Sequence, residues 1–245
     1  MRVAYSPSLV TLQPMSTLSV VATPIGNMED ITLRALRVLR EADVILCEDT
    51  RVTKKLLDRY EIVGKRVLAY HSHSTLRDRE KIFELLAERK KVALVSDAGT
   101  PAISDPGCLL VSQVREKFNE EVTIEAIPGA SAVTTALSIS GFPSSEFVFL
   151  GFLPHKKGRE TLFREIADAK RVVVFYESPH RILKSLESLL KHCGEERRVA
   201  IGRELTKMHE ELVVDLLPNV IAHFVTHPDR VRGEFVVMVS PLHQT

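Results

Sequence analysis

Twelve residues from Ser96 to Gly107, SDAGTPAISDPG, hold two Gly, two Pro, two Asp, two Ser and a Thr. Ahead of them KVALV is an apolar, β-branched run that reads as a buried strand, and behind them CLLVSQVREKF has helical spacing. A strand that gives way to small, turn-forming and hydroxyl- or carboxylate-bearing residues before a helix is where an open α/β sheet keeps its ligand. Gly99 and Gly107 permit close backbone approach, and Pro101 and Pro106 fix the path between them. Asp97 is placed to meet a polar or cationic ligand group at the carboxyl end of the strand. An ordinary turn explains only the end of this stretch, with Asp105 as helix N-cap and Pro106 at the first helical position.

Three more turns follow apolar runs in the same half of the chain: TPIGN (Thr23–Asn27), CEDTR (Cys47–Arg51) and IPGASA (Ile127–Ala132). None of the four turns reads GxxxxGK[ST] or GxGxxG, and those that contain Gly carry no Lys. Neither a nucleoside triphosphate nor a dinucleotide is therefore the natural ligand. A molecule with hydroxyls, an amino-acid end and a purine but no phosphate fits such turns better, and S-adenosylmethionine is one.

The elements that must carry these turns alternate. Strands are expected over Leu18–Ala22, Val44–Glu48, Arg66–Tyr70, Lys91–Val95 and Glu121–Ile127, each followed by a helical pattern. Asp30 is the expected cap of the first helix. Strand–helix alternation predicts parallel-rich sheets covered on both faces. GFPSS, Gly141–Ser145, clusters turn formers and marks a boundary. The expected organisation is an extension over 1–16, read as disordered, an N-terminal α/β domain over 17–141 and a C-terminal α/β domain over 142–245. A ligand cleft is expected between the two domains.

Bulk properties narrow the class. The 245 residues are 44% hydrophobic and 27% charged, with a formal net charge of +1. That excludes a wholesale polyanion binder and leaves any nucleic-acid surface as a local patch. The three cysteines, Cys47, Cys108 and Cys193, lack CxxC spacing and suggest a reducing, cytoplasmic compartment with no metal framework. His71 and His73 have no third ligand at useful spacing, so no metal is expected. No apolar run reaches the length of a membrane span, and the first sixteen residues lack the apolar core of a secretory signal.

Several blocks, in this order, resemble one family: VATPIGNMEDITLRALRVLREADVILCEDTR, VSDAGTPAISDPG, IPGASAVTTALSISG, GFLPHK, FYESPHR, RELTK and RGEF. It is the ribosomal RNA small subunit methyltransferase I family, a branch of the tetrapyrrole-methylase superfamily, and the resemblance covers roughly residues 17–239. It implies methyl transfer from S-adenosylmethionine to the ribose 2′-hydroxyl of a cytidine in the decoding region of 16S rRNA, by a homodimer with the cofactor between its two α/β domains. Carried over residue by residue, it assigns Pro24 and Gly26 to the cofactor cleft from the first strand. Asp97, Ala98, Gly99, Thr100, Ile103 and Ser104 form the central wall. Ser131, Ala132, Tyr176, Arg203, Glu204, Leu205, Gly233 and Glu234 match the remaining cofactor-proximal blocks. The family block at Tyr70–Ser74 has an acid and an amide, whereas this chain has Ser72 and Ser74, so no role is carried onto that loop.

Such a transfer needs no metal and no general acid, because a sulfonium is already a good leaving group. Alignment of hydroxyl and methyl supplies roughly 7–11 kcal/mol at best. The hydroxyl must also lose a proton, which invites a base. By type and place the candidates are Glu48, Asp49, His71, Glu177 and Glu204, with Glu48 and Glu177 foremost. Each has a plainer alternative: Glu48-Asp49 as a helix cap, Glu177-Ser178-Pro179 as a helix start, and Arg203-Glu204 as an ion pair shaping the cleft. For phosphate contact the best basic groups are Lys156, Lys157 and Arg159 on a Gly- and Pro-bounded loop, then Lys54 and Lys55. Aromatic content is only 6%, which favours an RNA read by shape and phosphates, such as the assembled small subunit. Two rivals stay open: a methyltransferase of the same superfamily acting on a small molecule, and an RNA-binding factor with a vestigial cleft.

Overall fold

The structure, a computed structural model, describes residues 16–242. The expected disordered extension thus lies outside the described residues, except for Ser16, which opens the first strand. The first sheet comprises β1 (Ser16–Val21), β2 (Val44–Cys47), β3 (Arg66–Ala69), β4 (Lys91–Val95) and β5 (Val122–Ile127), in the order β3-β2-β4-β1-β5. All its pairings are parallel. The pleat sends alternate residues to opposite faces. Val21, Ile45 and Ala93 meet α1 (Leu33–Glu41) and α2 (Thr50–Arg59) on one side. Leu18, Leu46 and Leu94 meet α3 (Leu76–Ala87) and α4 (Gly107–Phe118) on the other. Full burial of each Val, Leu or Ile among these contributes about 1.5–3 kcal/mol, which is why the central strands are apolar on both faces.

The second sheet departs from the parallel pattern. It contains β6 (Phe147–Phe152), β7 (Val172–Glu177), β8 (Arg198–Arg203), β9 (Glu211–Leu216) and β10 (Phe235–Val239), in the order β6-β7-β10-β8-β9. Only β6 and β7 run parallel, and the other pairings are antiparallel. The link from β8 to β9 is too short for a crossover helix, so it can only reverse the chain. One face packs α6 (Arg159–Ala167), α7 (Ile182–Cys193) and α8 (Leu217–Thr226) around Phe163, Leu186 and Phe224. The opposite face, with Val174, Ala200 and Met238, packs against Val133, Ala136 and Leu137 of α5 (Ala132–Ser140). Helix α5, which follows β5 of the first sheet, thus packs on the second, and its N-terminal end lies where strand ends from both converge.

Local boundaries differ from expectation in three places. Asp30 does not cap α1: residues Met28–Asp30 form a 3-10 turn, and the Thr32 hydroxyl accepts the Ala35 N–H at 3.1 Å instead. Helix α4 starts at Gly107, with Asp105 Oδ1 accepting N–H groups from both Gly107 (2.7 Å) and Ala102 (2.8 Å). Helix α7 starts only at Ile182, so Pro179 lies in the turn before it.

Candidate functional site

Four strand-end turns of the first sheet are tied to one another by their own small polar side chains. Thr23 and Gly99 exchange backbone hydrogen bonds at 2.9 and 3.1 Å, joining the turns after β1 and β4. The Thr23 hydroxyl donates to Ser96 O (3.1 Å), and the Ser96 hydroxyl donates to Gly99 O (3.1 Å). Asp97 Oδ1 accepts the Asp49 N–H at 2.9 Å, which brings in the turn after β2. Thr100 Oγ1 donates to Ala130 O at 3.1 Å, which brings in the turn after β5. Gly99 has φ +80° and faces Ile25, so it needs the freedom that only glycine has here. Ala102 and Ser104 also have positive φ, and their loop leaves Ile103 49% exposed. Backbone strain of this kind costs of order 1–3 kcal/mol per residue and clusters at ligand sites.

These turns form one wall of a cleft of about 400 Å³. Ile25, Glu48, Ala98–Thr100, Ile103, Ser104 and Ser131-Ala132 come from the first half. Facing them are Phe152, Tyr176–Pro179, Leu205 and Gly233–Val236. Phe152 reaches the cleft through a bulge in β6, where Gly151 has φ +63° and the register shifts between Phe149 and Phe152. The Phe152 ring is 58% exposed and sits 5.3 Å from that of Tyr176, which also meets Phe149 at 5.0 Å. Burial, then the nearby Glu234, pushes the Tyr176 phenol above its usual range, so it stays protonated.

The charges in the cleft are of one sign. Among the described residues lining it there is no Lys, Arg or His, while Glu48, Asp105, Glu177 and Glu234 all contribute. Burial raises the pKa of Glu48, and the neighbouring Asp105 and Asp97 add to the rise. Glu177 is already neutralised, by Arg159 (3.3 Å) and Arg181 (2.8 Å). A cleft with apolar faces, hydroxyls and carboxylates but no lining cation suits a cationic ligand carrying a ring and hydroxyls. It is unsuited to a phosphate.

The expected site residues separate into groups. Ala98, Gly99, Thr100, Ile103, Ser104, Ser131, Ala132, Tyr176, Leu205, Gly233 and Glu234 line the cleft, as do Glu48 and Glu177. Pro24, Gly26 and Asp97 do not: they line a smaller adjoining hollow. Arg203 and Glu204 line neither. Arg203 is turned inward, its Nε donating to Arg232 O (3.0 Å) and its Nη1 to His209 O (3.0 Å), with Glu211 at 3.4 Å. Glu204 Oε1 accepts the Glu234 N–H at 2.9 Å and meets Lys207 Nζ at 2.8 Å. Both hold the Arg232–Glu234 turn in place.

Glu177, an expected base, has its carboxylate fully buried, and it also accepts the Ser185 hydroxyl (2.6 Å) and the Ser178 N–H (2.9 Å). Arg159, expected on the phosphate-contacting loop, is turned inward: only 15% of its side chain is exposed, and it donates to Glu177, Ser185 and Pro154 O. Lys54, Lys55, Lys156 and Lys157 are exposed. Asp49 proves to be the cap of α2, accepting the Arg51 N–H at 2.8 Å, with the Arg51 guanidinium holding its carboxyl down at about 2. Phe152, Ser96 and Val236 were missed. A glycine inside an apolar strand run, as at Gly151, was the available sign of a bulge.

The sequence profile of the tetrapyrrole (corrin/porphyrin) methylases matches residues 17–221. The crystal structure of the methyltransferase CobJ superposes with a TM-score of 0.69 at 20% identity, over 92% of this chain and 94% of that one. A second superposes at 0.61 and 18% identity, over 93% and 98% of the two chains: uroporphyrin-III C-methyl transferase from Thermus thermophilus, complexed with S-adenyl homocysteine. The fold and its cleft are those of a tetrapyrrole-type methylase. A protein of Thermotoga maritima named ribosomal RNA small subunit methyltransferase I is 46% identical over 226 residues, 92% of this chain and 99% of that protein. The chain belongs to the ribosomal RNA small subunit methyltransferase I family.

Proposed function

We propose that this protein methylates the ribose 2′-hydroxyl of a cytidine in the decoding region of small-subunit ribosomal RNA. It does so in the cytoplasm as a homodimer, with the assembled subunit as substrate. At the coarser level the chemistry is S-adenosylmethionine-dependent methylation of rRNA. The observation that carries the reading is the cleft itself, which offers carboxylates, hydroxyls and aromatic faces but no cation among its described lining residues. When bound, the cofactor would supply a methyl group on a positively charged sulfur, for transfer to the ribose hydroxyl oxygen.

The chain's own residues then have distinct tasks. Ile103, Phe152, Tyr176 and Leu205 offer the apolar faces that a purine needs, and Thr100, Ser104 and Ser131 offer polar groups for its sugar and amino-acid end. Glu48 balances positive charge in the cleft, whereas Glu234 is already paired with Lys207. The raised pKa of Glu48 also suits it to take up the proton that the ribose hydroxyl gives up. Lys54, Lys55, Lys156 and Lys157 are the exposed cations for RNA phosphates. A 2′-hydroxyl acceptor requires RNA and not DNA.

The test is nucleoside mass mapping of small-subunit rRNA from cells with and without the gene, followed by restoration with purified protein. One ribose-methylated cytidine that disappears and returns is expected. A methyl on a base, or no change in the rRNA, would refute the reading.

A further inference from the structure

The hollow that adjoins the cleft has a volume of about 220 Å³ and lies between the turn after β1, helix α2 and the turn after β8. Ile25, Ser96, Ala98 and Glu234 line both spaces, so the two chambers share a seam. Beyond the seam the lining changes character, to Asp97, Lys207, Met28 and Val52. Lys207 is the only Lys, Arg or His among the described residues lining either chamber. Its Nζ is fixed 2.8 Å from Glu204 Oε1 and 3.0 Å from Glu234 Oε2. Next to the chamber, α2 exposes Lys54 and Lys55 to solvent.

We propose that this second chamber receives the acceptor, one unstacked ribonucleotide, whose neighbouring phosphates lie along Lys54 and Lys55. The inference rests on the methyl-transfer reading and adds where the RNA enters. Displacement at a methyl carbon brings donor and acceptor together from opposite sides, held close and in line. Two chambers that meet at a common seam provide that arrangement. The cations for the polyanion lie at the rim, on the exposed Lys54 and Lys55 of α2, since Lys207 is already paired with Glu204 and Glu234. The chamber is too small for a duplex, so the nucleotide must leave its stack to enter. Asp97, with Oδ1 held by the Asp49 N–H, then touches the acceptor and not the donor.

Val52→Trp tests this. Val52 is 37% exposed and lines this chamber but not the cleft, so a larger ring fills the chamber without entering the core. Binding of S-adenosylhomocysteine, measured by calorimetry, should be unchanged. Methylation of small subunits purified from gene-deleted cells should fall roughly 100-fold. Loss of S-adenosylhomocysteine binding in a variant that still melts cooperatively would assign the chamber to the cofactor. Full methylation would show that nothing needed enters it. Either result overturns the proposal. Lys54→Glu with Lys55→Glu, both on the surface and safe for folding, should weaken subunit binding and leave S-adenosylhomocysteine binding intact; unchanged subunit binding also overturns it. If the parent protein itself fails to methylate subunits, the underlying reading falls, whereas an active parent with an equally active Val52→Trp variant refutes this inference alone.

Discussion

The Arg159 guanidinium points away from solvent, with its Nη2 3.3 Å from Oε2 of the fully buried Glu177. Its Nη1 donates to Pro154 O, while Arg181, on the other oxygen of Glu177, donates to Leu153 O at 3.0 Å. One carboxylate at the end of β7 thus anchors the base of the loop that displays Lys156 and Lys157. Because Tyr176 precedes it and Ser178 follows it, the same residue also fixes a wall of the cofactor cleft. Removing one partner of a buried pair strands the other charges at a cost of about 3–5 kcal/mol. Glu177→Ala should lower the unfolding free energy in urea by that amount, and Glu177→Gln, which keeps the shape and some hydrogen bonds, by less. Equal stability of all three proteins would show that the cluster contributes nothing net.

Glu48 makes a prediction about pH. Burial, Asp105 and Asp97 raise its pKa in the folded protein, while His71 and the Asp97 N–H pull the other way and do not overcome them. A carboxyl with a raised folded-state pKa binds its proton more tightly folded than unfolded. Its contribution to stability is therefore present below the ordinary carboxylate range and lost as pH rises through the raised value. Glu48→Gln should accordingly raise the melting temperature of the ligand-free protein at neutral pH. Cofactor binding should show the opposite dependence, because a cation in the cleft favours the ionised form. Affinity for S-adenosylmethionine should increase as pH rises above the ordinary carboxylate range, with a smaller change for S-adenosylhomocysteine, which lacks the sulfonium charge. Calorimetric titration of both ligands across that range checks this, and parallel pH curves would place Glu48 away from the sulfur.

Gly233 has φ +85°, and a Cβ there would run into the Glu204 side chain. Glu204 cannot move aside cheaply, since Lys207 and the Glu234 N–H both hold it. Gly233→Ala should therefore destabilise the fold, by more than the roughly 0.4–1 kcal/mol that such a change gains at a compatible position. It should also weaken cofactor binding, because Gly233–Val236 form part of the cleft. Thermal unfolding and calorimetry on the same variant measure the two effects. A cofactor affinity equal to the parent's would separate this turn from the ligand.

The turns after the parallel strands were legible in the sequence because their composition is shaped by one requirement, close packing of polar backbone at the strand ends. What individual side chains do there was not. Thr23, Ser96 and Thr100 spend their hydroxyls on backbone carbonyls of neighbouring turns, and such long-range pairing leaves no periodic trace. Arg159 looked like part of a basic run because neighbours in sequence suggest a shared surface; helix α6 begins at that residue and turns its side chain inward. The antiparallel character of the second sheet follows from one short link, between β8 and β9, which strand–helix alternation elsewhere obscured. The division of the site into two chambers depends on Ile25 and Ala98 standing between them, a matter of tertiary position alone.

The exposed pair Lys156-Lys157 carries the last prediction. Both lie in the turn from Leu153 to Gly158, whose base is fixed through Glu177 while the lysines themselves remain in solvent. A fixed base with solvent-exposed cations suits contact with phosphates. Lys156→Glu with Lys157→Glu should leave S-adenosylmethionine affinity unchanged, since neither residue lines the cleft. Subunit binding should weaken, most of all at low ionic strength where counterion release contributes most. Each lost phosphate contact removes about one from the slope of log affinity against log salt, so the double variant should have a slope shallower by about two. Binding measured across a salt series distinguishes the possibilities: a parallel line displaced downward would indicate a loss that involves no phosphate contact, and an unchanged line would mean that the RNA follows another path.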